Sequence, residues 1–428
     1  MKTILLNRFL QINLRGLLSV MIFFLVSSCY DNCKRTHTYT TYEPVFMKIE
    51  SLRNAVKSEP ARNLKALGKM YFWGNYIFVN EIEEGVHIID NTDPTKPQNI
   101  SFIAIPGNVD IAVRDNILYA DSYIDLVAFD ISDPTDVKIL KRIQDVFPYN
   151  YKYGVFEDSI IVDWVKAQIT EEIKVDCQEE DVYLAYDYVL YAGSKTPLAS
   201  SPITPPTGNN GKGGSLARFA IYDNYLYTVD FSTMRLFDIS TPSNPVKGNE
   251  IKMGWGIETI FPYQDKLFLG SQTGMHIYNN VNPSSPTFLS MFAHVRTCDP
   301  VVVEGDYAYV TLRGGSECGG FTNQLDVIDI KDLSNPTLIK SYPMKSPRGL
   351  GIDNATLFIC EGEFGMKVYD ATDPLKIDVN LLKNFTNIKA NDVIPLGNVL
   401  LVIGDDGLYQ YDYSDPKNLK LLSVIPII

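Results

Sequence analysis

Charged residues recur at one position of a repeating pattern in this chain: Lys69, Asp110, Lys152, Arg218, Glu258, Asp299, Arg348 and Asp392. Each stands on, or one residue beside, the same step upstream of a strand-like apolar segment. Four are basic and four acidic. Two such carboxylates held about 5–10 Å apart in an open pocket could serve as acid and base on a glycosidic or lactone bond. The same carboxylates locked to Lys or Arg would instead be structural salt bridges, because a charge buried without a partner is costly. A third possibility is a hydrated ring of mixed charge that holds a polar ligand.

Other catalytic signatures are missing. There is no Gly-x-Ser-x-Gly elbow, no phosphate-binding glycine loop and no His-Glu-x-x-His. No CxxC or Cys-His pair has ligand spacing, so neither a metal nor a cofactor is expected. The four histidines are His37, His87, His276 and His294. His87 and His276 share one register (GVHIID and GMHIYN), which points to a repeated structural position. Of the six cysteines, Cys298 and Cys318 are expected to form a disulfide fastening an insertion.

These residues are spaced by a repeat, clearest at 126–143, LVAFDISDPTDVKILKRI: a strand, an Asp-x-Ser-Asp-Pro corner and a second strand. Further copies begin at Gly85, Met234, Met275, Leu325, Met366 and Leu408, and a degenerate one ends in EIKVD at 172–176. The polar residues closing these strands are Asp90, Asp130, Asp176, Asp238, Asn279, Asp329, Asp370 and Asp412, at intervals of 40, 46, 62, 41, 50, 41 and 42. In the second copy four strands are predicted, over 109–113, 117–121, 126–131 and 137–143. One such unit cannot bury both of its faces, so the units must stack or close into a ring.

Four-stranded units around an axis make a β-propeller. The sequence therefore predicts an all-β, eight-bladed propeller of four-stranded blades, with seven blades and a displaced third unit as the alternative. The first strand of each blade would line the axial channel, which makes the recurring charges a ring. The corners need no further role. Asp and Ser side chains bond backbone amides one or two residues on, and Pro presets φ for the turn and ends strand pairing.

The third-strand segments LVAFDI, LDVIDI, LFDIS and VYDAT resemble the LVIVD-repeat family over 68–425. That resemblance implies a propeller of the kind found in bacterial surface lipoproteins, and it implies no activity.

The first 28 residues stand apart from the fold: Lys2, Arg8 and Arg15, an apolar run over 17–26, then Val26-Ser27-Ser28-Cys29. The run suits a secretory signal rather than a permanent span. Small residues before the cysteine resemble a lipobox, so Cys29 is expected to become the lipidated N-terminus of an exported protein anchored in the outer membrane. Cleavage removes three basic and no acidic residues, taking the formal charge from −13 to −13 − 3 = −16. So acidic a protein is a poor partner for nucleic acid, and for membrane beyond the anchor itself.

Residues 29–42 are expected to be a tether and 43–66 a short amphipathic helix with its linker. The propeller follows over 67–428. Residues 177–214 form a Pro-, Gly- and Ser-rich insertion in the third unit, a candidate binding element; 313–323 form another in the sixth.

The function that follows is a lipid-anchored binding or scaffolding module taking an envelope protein, a polar small molecule or a glycan. A hydrolase or lyase on an extracellular saccharide or lactone is the alternative. Replacing Cys29→Ser should leave an uncleaved or soluble protein; unchanged membrane fractionation with an unchanged N-terminal peptide mass would refute the anchor.

Overall fold

A computed structural model of the chain describes residues 32–147, 155–176, 211–294, 300–315 and 321–428. The chain divides into two units, Phe46–Val162 with Lys195–Ile428 and Met1–Val45 with Asp163–Ser194.

In the larger unit, four-stranded antiparallel meanders follow one another as blades 1 to 7: residues 67–104, 111–143, 219–252, 257–293, 301–343, 350–385 and 390–426. The inner strands of successive blades are neighbours from blade 1 to blade 7, and the second strand of blade 7 returns to the inner strand of blade 1. The first three strands of each blade are largely buried, and the outermost is half exposed. In every blade the register slips once between third and fourth strands. Such a bulge sharpens the local twist at the rim.

The corners are turns, as their chemistry predicts. Asp130 Oδ1 accepts from the Ser132 amide at 2.9 Å and the Ser132 hydroxyl at 2.6 Å, and Asp412 treats Ser414 in the same way. Asp90, Asp238, Asp329 and Asp370 each take the amide two residues on. These bonds hold the Asp130 and Asp412 carboxyls below the ordinary carboxylate range.

The ring closes without exchanging a strand between its ends. A parallel bridge joins Leu64 to Ile427, and the Ile428 amide donates to the Leu64 carbonyl. Leu67, Met70, Ile77 and Val79 of blade 1 pack with Ile394 and Leu401 of blade 7. Gln410 donates to Asn91 at 2.6 Å across the same seam.

The count of eight blades is corrected to seven. Residues 172–176 belong to an 18-residue strand, Ser159–Asp176, in a separate three-stranded sheet beside Asn32–Lys48. No Asp-Pro corner follows Asp176 in the sequence to turn the chain back as a fourth strand. In the smaller unit Lys34 pairs with Glu172 at 2.8 Å, and Tyr39 donates to Glu171 at 3.0 Å.

The N-terminal expectations change too. The tether over 29–42 becomes strand from Asn32, as its Thr- and Tyr-rich composition favours. The helix over 43–59 shrinks to Ile49–Asn54, and Lys57–Pro60 pairs antiparallel with the outer strand of blade 1. Leu52 of this helix packs on Tyr123, Ile124 and Ile160.

Arg53 clamps the helix to blade 2. Its Nε and Nη2 donate to the two Asp125 oxygens at 2.8 and 3.0 Å, and Arg142 adds a third bond at 3.1 Å. Asp125 is fully buried, so both guanidiniums are needed to offset its desolvation. Arg53→Ala should therefore cost about 3 kcal/mol. A lowered denaturant midpoint with an unchanged m value would show this; an unmoved midpoint would mean that the clamp contributes nothing.

Candidate functional site

Successive strands run in opposite directions, so each inner strand begins, and each second strand ends, on the same side of its blade. Lys69, Asp110, Arg218, Glu258, Arg348 and Asp392 all lie at or beside the start of an inner strand. The sequence register thus brought six of the eight charges to one end of the channel. Lys152, Asp299, Cys29, Cys298 and Cys318 lie outside the described residues, as does the insertion over 177–210.

The end of that insertion enters the channel. Lys212–Gly213 pair antiparallel with Phe72 and Tyr71 of blade 1's inner strand. The Gly211 amide donates to Val113 of blade 2 at 3.0 Å, and Lys212 Nζ to the Pro395 carbonyl of blade 7. A Cβ on Gly211 would stand 2.3 Å from the Tyr71 ring, so only glycine passes there. Burial pushes the Lys212 amine down to about 8, against the pull of Asp353 and Glu304.

This inserted strand divides the ring. On the side of blades 1, 2 and 7 the charges are locked. Lys69 Nζ meets Asp110 Oδ2 at 2.6 Å, both fully buried, and that oxygen also accepts from the Arg218 and Phe219 amides. Burial lowers the Lys69 amine's pKa, while Asp110 opposes the shift. Asp392 Oδ1 accepts from the Ser215 amide at 3.0 Å and its hydroxyl at 2.7 Å, and Ser215 Oγ accepts from the Leu350 amide.

On the side of blades 3 and 4 the ring keeps spare donors. Arg218 Nε and Thr259 Oγ1 are buried without a hydrogen-bond partner among the described residues, and so is Arg348 Nε on blade 6. Glu258 accepts from Gln272 Nε2 at 3.0 Å. Beside them Phe231 and Trp255 meet edge to face, with centroids 4.6 Å apart, and remain 43% and 51% exposed. Gly256 makes the junction: its amide bonds the Phe231 carbonyl, and its carbonyl takes the Gln272 amide. Its φ of +84° and the Gln272 side chain 3.0 Å from a would-be Cβ both require glycine.

His87 and His276 are both buried in the third strand of their blades. His87 is buried against Glu81 at 2.7 Å, and Asn99 donates to its other nitrogen at 3.2 Å. His276 Nε2 lies 3.2 Å from the buried Ser271 hydroxyl, and burial lowers its pKa. Among the described residues no cluster of His, Cys, Asp and Glu could hold a metal ion.

Sequence reasoning missed the inserted strand and the aromatic pair. The run Gly211-Lys212-Gly213-Gly214-Ser215 was the available signal for the first, since small residues are what a narrow passage admits. Nothing local marked Phe231 and Trp255, which lie in the connections of two neighbouring blades.

The fold and its channel define a seven-bladed β-propeller, and the chain carries LVIVD repeats. The family profile described as LVIVD repeat matches residues 107–145, 213–249 and 296–343. No curated protein matches the chain significantly. Among solved structures, the periplasmic gluconolactonase of Pseudomonas aeruginosa is similar, with TM-score 0.52 and 9% identity over 87% of this chain and 97% of that one. A functionally unknown protein from Desulfotomaculum acetoxidans is similar with TM-score 0.51 and 11% identity, over 82% and 95% of the two chains. At such identity the likeness is one of fold.

Asp121 yields a pH prediction. Its Oδ1 accepts from the Val109 and Asp110 amides and from Asn108, yet desolvation pushes the carboxyl up to about 6. A raised carboxyl favours the folded state below the unfolded value of about 4, and that advantage is lost as pH climbs through 6. Asp121→Asn keeps the acceptor and removes the charge. It should raise stability at pH 7–8 by about 1–2 kcal/mol and flatten the loss between pH 4 and 6; an equal pH slope in the variant would refute the assignment.

Proposed function

We propose that this propeller is an exported, lipid-anchored binding module of the cell envelope that takes a polar ligand, such as a glycan, at the channel end between blades 3 and 4. The carrying observation is two buried donors, Arg218 Nε and Thr259 Oγ1, that have no partner among the described residues, beside an exposed aromatic pair. Buried polar groups are ordinarily satisfied, and a ligand's hydroxyl or carboxylate oxygens would satisfy these. Phe231 and Trp255 offer apolar faces to the carbon side of a sugar ring, a division of labour usual in small-molecule sites. The anchor at Cys29 and a Cys298–Cys318 bridge holding the blade 5 insertion are parts of the same proposal.

The saccharide- or lactone-cleaving alternative has less support. It needs two ring carboxylates available as acid and base; Asp110 and Asp392 are committed as acceptors within the scaffold, and among the described residues this leaves one, Glu258, which accepts from Gln272. The gluconolactonase likeness bears on fold and adds no residue to that case.

Arg218→Ala decides the site. Screened against envelope glycans and envelope extract, the wild-type chain should retain a ligand, and the variant should lose it by about tenfold or more while melting within a few degrees of wild type. Unchanged binding would dismiss the site, and a collapse of the melting temperature would return Arg218 to the scaffold.

A further inference from the structure

Outer strands are where a propeller's sheets end, and an open edge presents unpaired amides and carbonyls to any other chain. Lysine and arginine on the edge are the common protection. Five of the seven outer strands carry them: KILKRI, VKGNEIK, TLIKSYP, LLKNF and KLLSVIP. Two carry no charge at all: Gln98–Ala104 in blade 1 (QNISFIA) and Thr287–Ala293 in blade 4 (TFLSMFA).

The first of these is covered, because Lys57–Pro60 lies along it as an added antiparallel strand. The second pairs only with Gly274–Asn279 among the described residues. Phe288, Leu289 and Met291 are 57%, 37% and 41% exposed along it, and Val281 in the adjoining corner is 67% exposed. The uncharged character extends beyond the strand. Residues 267–295 contain no Asp, Glu, Lys or Arg in a chain with 38 + 51 = 89 of them.

We propose that the outer strand of blade 4 pairs antiparallel with the same strand of a second copy across a two-fold axis. Three observations select that occupant. Blade 1 shows that an uncharged edge in this fold takes an antiparallel strand. In antiparallel pairing about a two-fold axis residue i of one strand faces residue j of the other and j faces i, so a strand of net charge sets that charge beside its own copy along the same short edge. Of the six outer strands with no added strand among the described residues, only TFLSMFA is without charge. Finally, a protein of net charge −13 repels its own copy over most of its surface, and this strip is where two copies meet without that penalty.

Sedimentation velocity on the purified full chain in mild detergent tests the proposal. The wild-type chain should form a concentration-dependent dimer. Leu289→Lys and Met291→Lys, which give blade 4 the edge protection of its neighbours, should each raise the dimer dissociation constant by about tenfold or more. Leu421→Lys on the outer strand of blade 7 should leave it unchanged. Amide exchange over 287–293 in the wild-type chain should slow as concentration rises, a readout that needs no variant to fold. A monomeric wild-type chain, a dimer that survives both blade 4 substitutions, one that Leu421→Lys dissociates equally, or exchange at 287–293 independent of concentration would each overturn the proposal.

Discussion

The molecule depends on a bond made from one blade to the corner of the next. Each four-stranded sheet has two apolar faces and can bury them only against its neighbours, so the blades must be held at a fixed angle and spacing. The fixing contact recurs: Tyr119 donates to the Pro242 carbonyl at 2.7 Å, Tyr227 to Pro283 at 2.8 Å, and Tyr342 to Pro374 at 2.6 Å. Ser290 reaches Leu333 at 2.6 Å and Ser423 reaches Pro94 at 2.7 Å in the same manner. Every one of these acceptors is a corner carbonyl. The Asp-Pro corner therefore does two things: its aspartate closes the turn through local amides, and its rigid backbone presents a carbonyl outward for the preceding blade. A hydroxyl is the suitable donor, because its hydrogen rotates to meet the acceptor where a backbone amide could not.

That same rigidity creates the asymmetric channel. Seven inner strands brought together would leave a polar bore whose charges must be satisfied. The chain meets the demand on one side by sending 211–215 through it. Ser215 of that segment gives Asp392 an amide and a hydroxyl, while Asp110 gathers the Lys69 ammonium and the amides of Ile111, Arg218 and Phe219. A carboxylate with several donors tolerates burial, where an isolated one would not. On the side of blades 3 and 4, Thr259 Oγ1 is buried without a hydrogen-bond partner among the described residues. The locked side is scaffold, and the side of blades 3 and 4 carries the donors on which the proposed ligand site rests. Both sides belong to one register in the sequence; the inserted segment locks Asp392 through Ser215, whereas Asp110 is locked by Lys69 and by the first amides of blade 3.

Edges follow a similar division. An outer strand has neighbours on one side only, so its sequence must either repel further pairing or accept it. Lysines on five strands repel; the short segment Lys57–Pro60 covers a sixth and supplies its own Lys57 and Glu59 at the new edge. The seventh, Thr287–Ala293, carries no charge and has no added strand among the described residues. What distinguishes the blades from one another is thus concentrated at the two places where the repeat ends, the axis and the rim, while the middle strands remain nearly interchangeable apolar sheet.

Local chemistry was enough for the sequence to determine the repeating unit. Strand alternation, the Asp-x-Ser/Thr turn and the proline after it act within a few residues, so the blade, its corners and the register of the ring could all be read from the residues themselves. The count of blades could not. The segment EIKVD has the composition of a third strand, and whether it pairs within a blade or beside Asn32–Lys48 depends on a partner more than a hundred residues away. The ring was legible as a set of positions but not as a set of pairs. Lys69 with Asp110 and Ser215 with Asp392 join residues 41 and 177 apart in sequence, and only the closing of the ring puts them in contact. The exposed pair of Phe231 and Trp255 carried no sequence signal for the same reason: a site formed by two connections from adjoining blades exists only after the blades have packed.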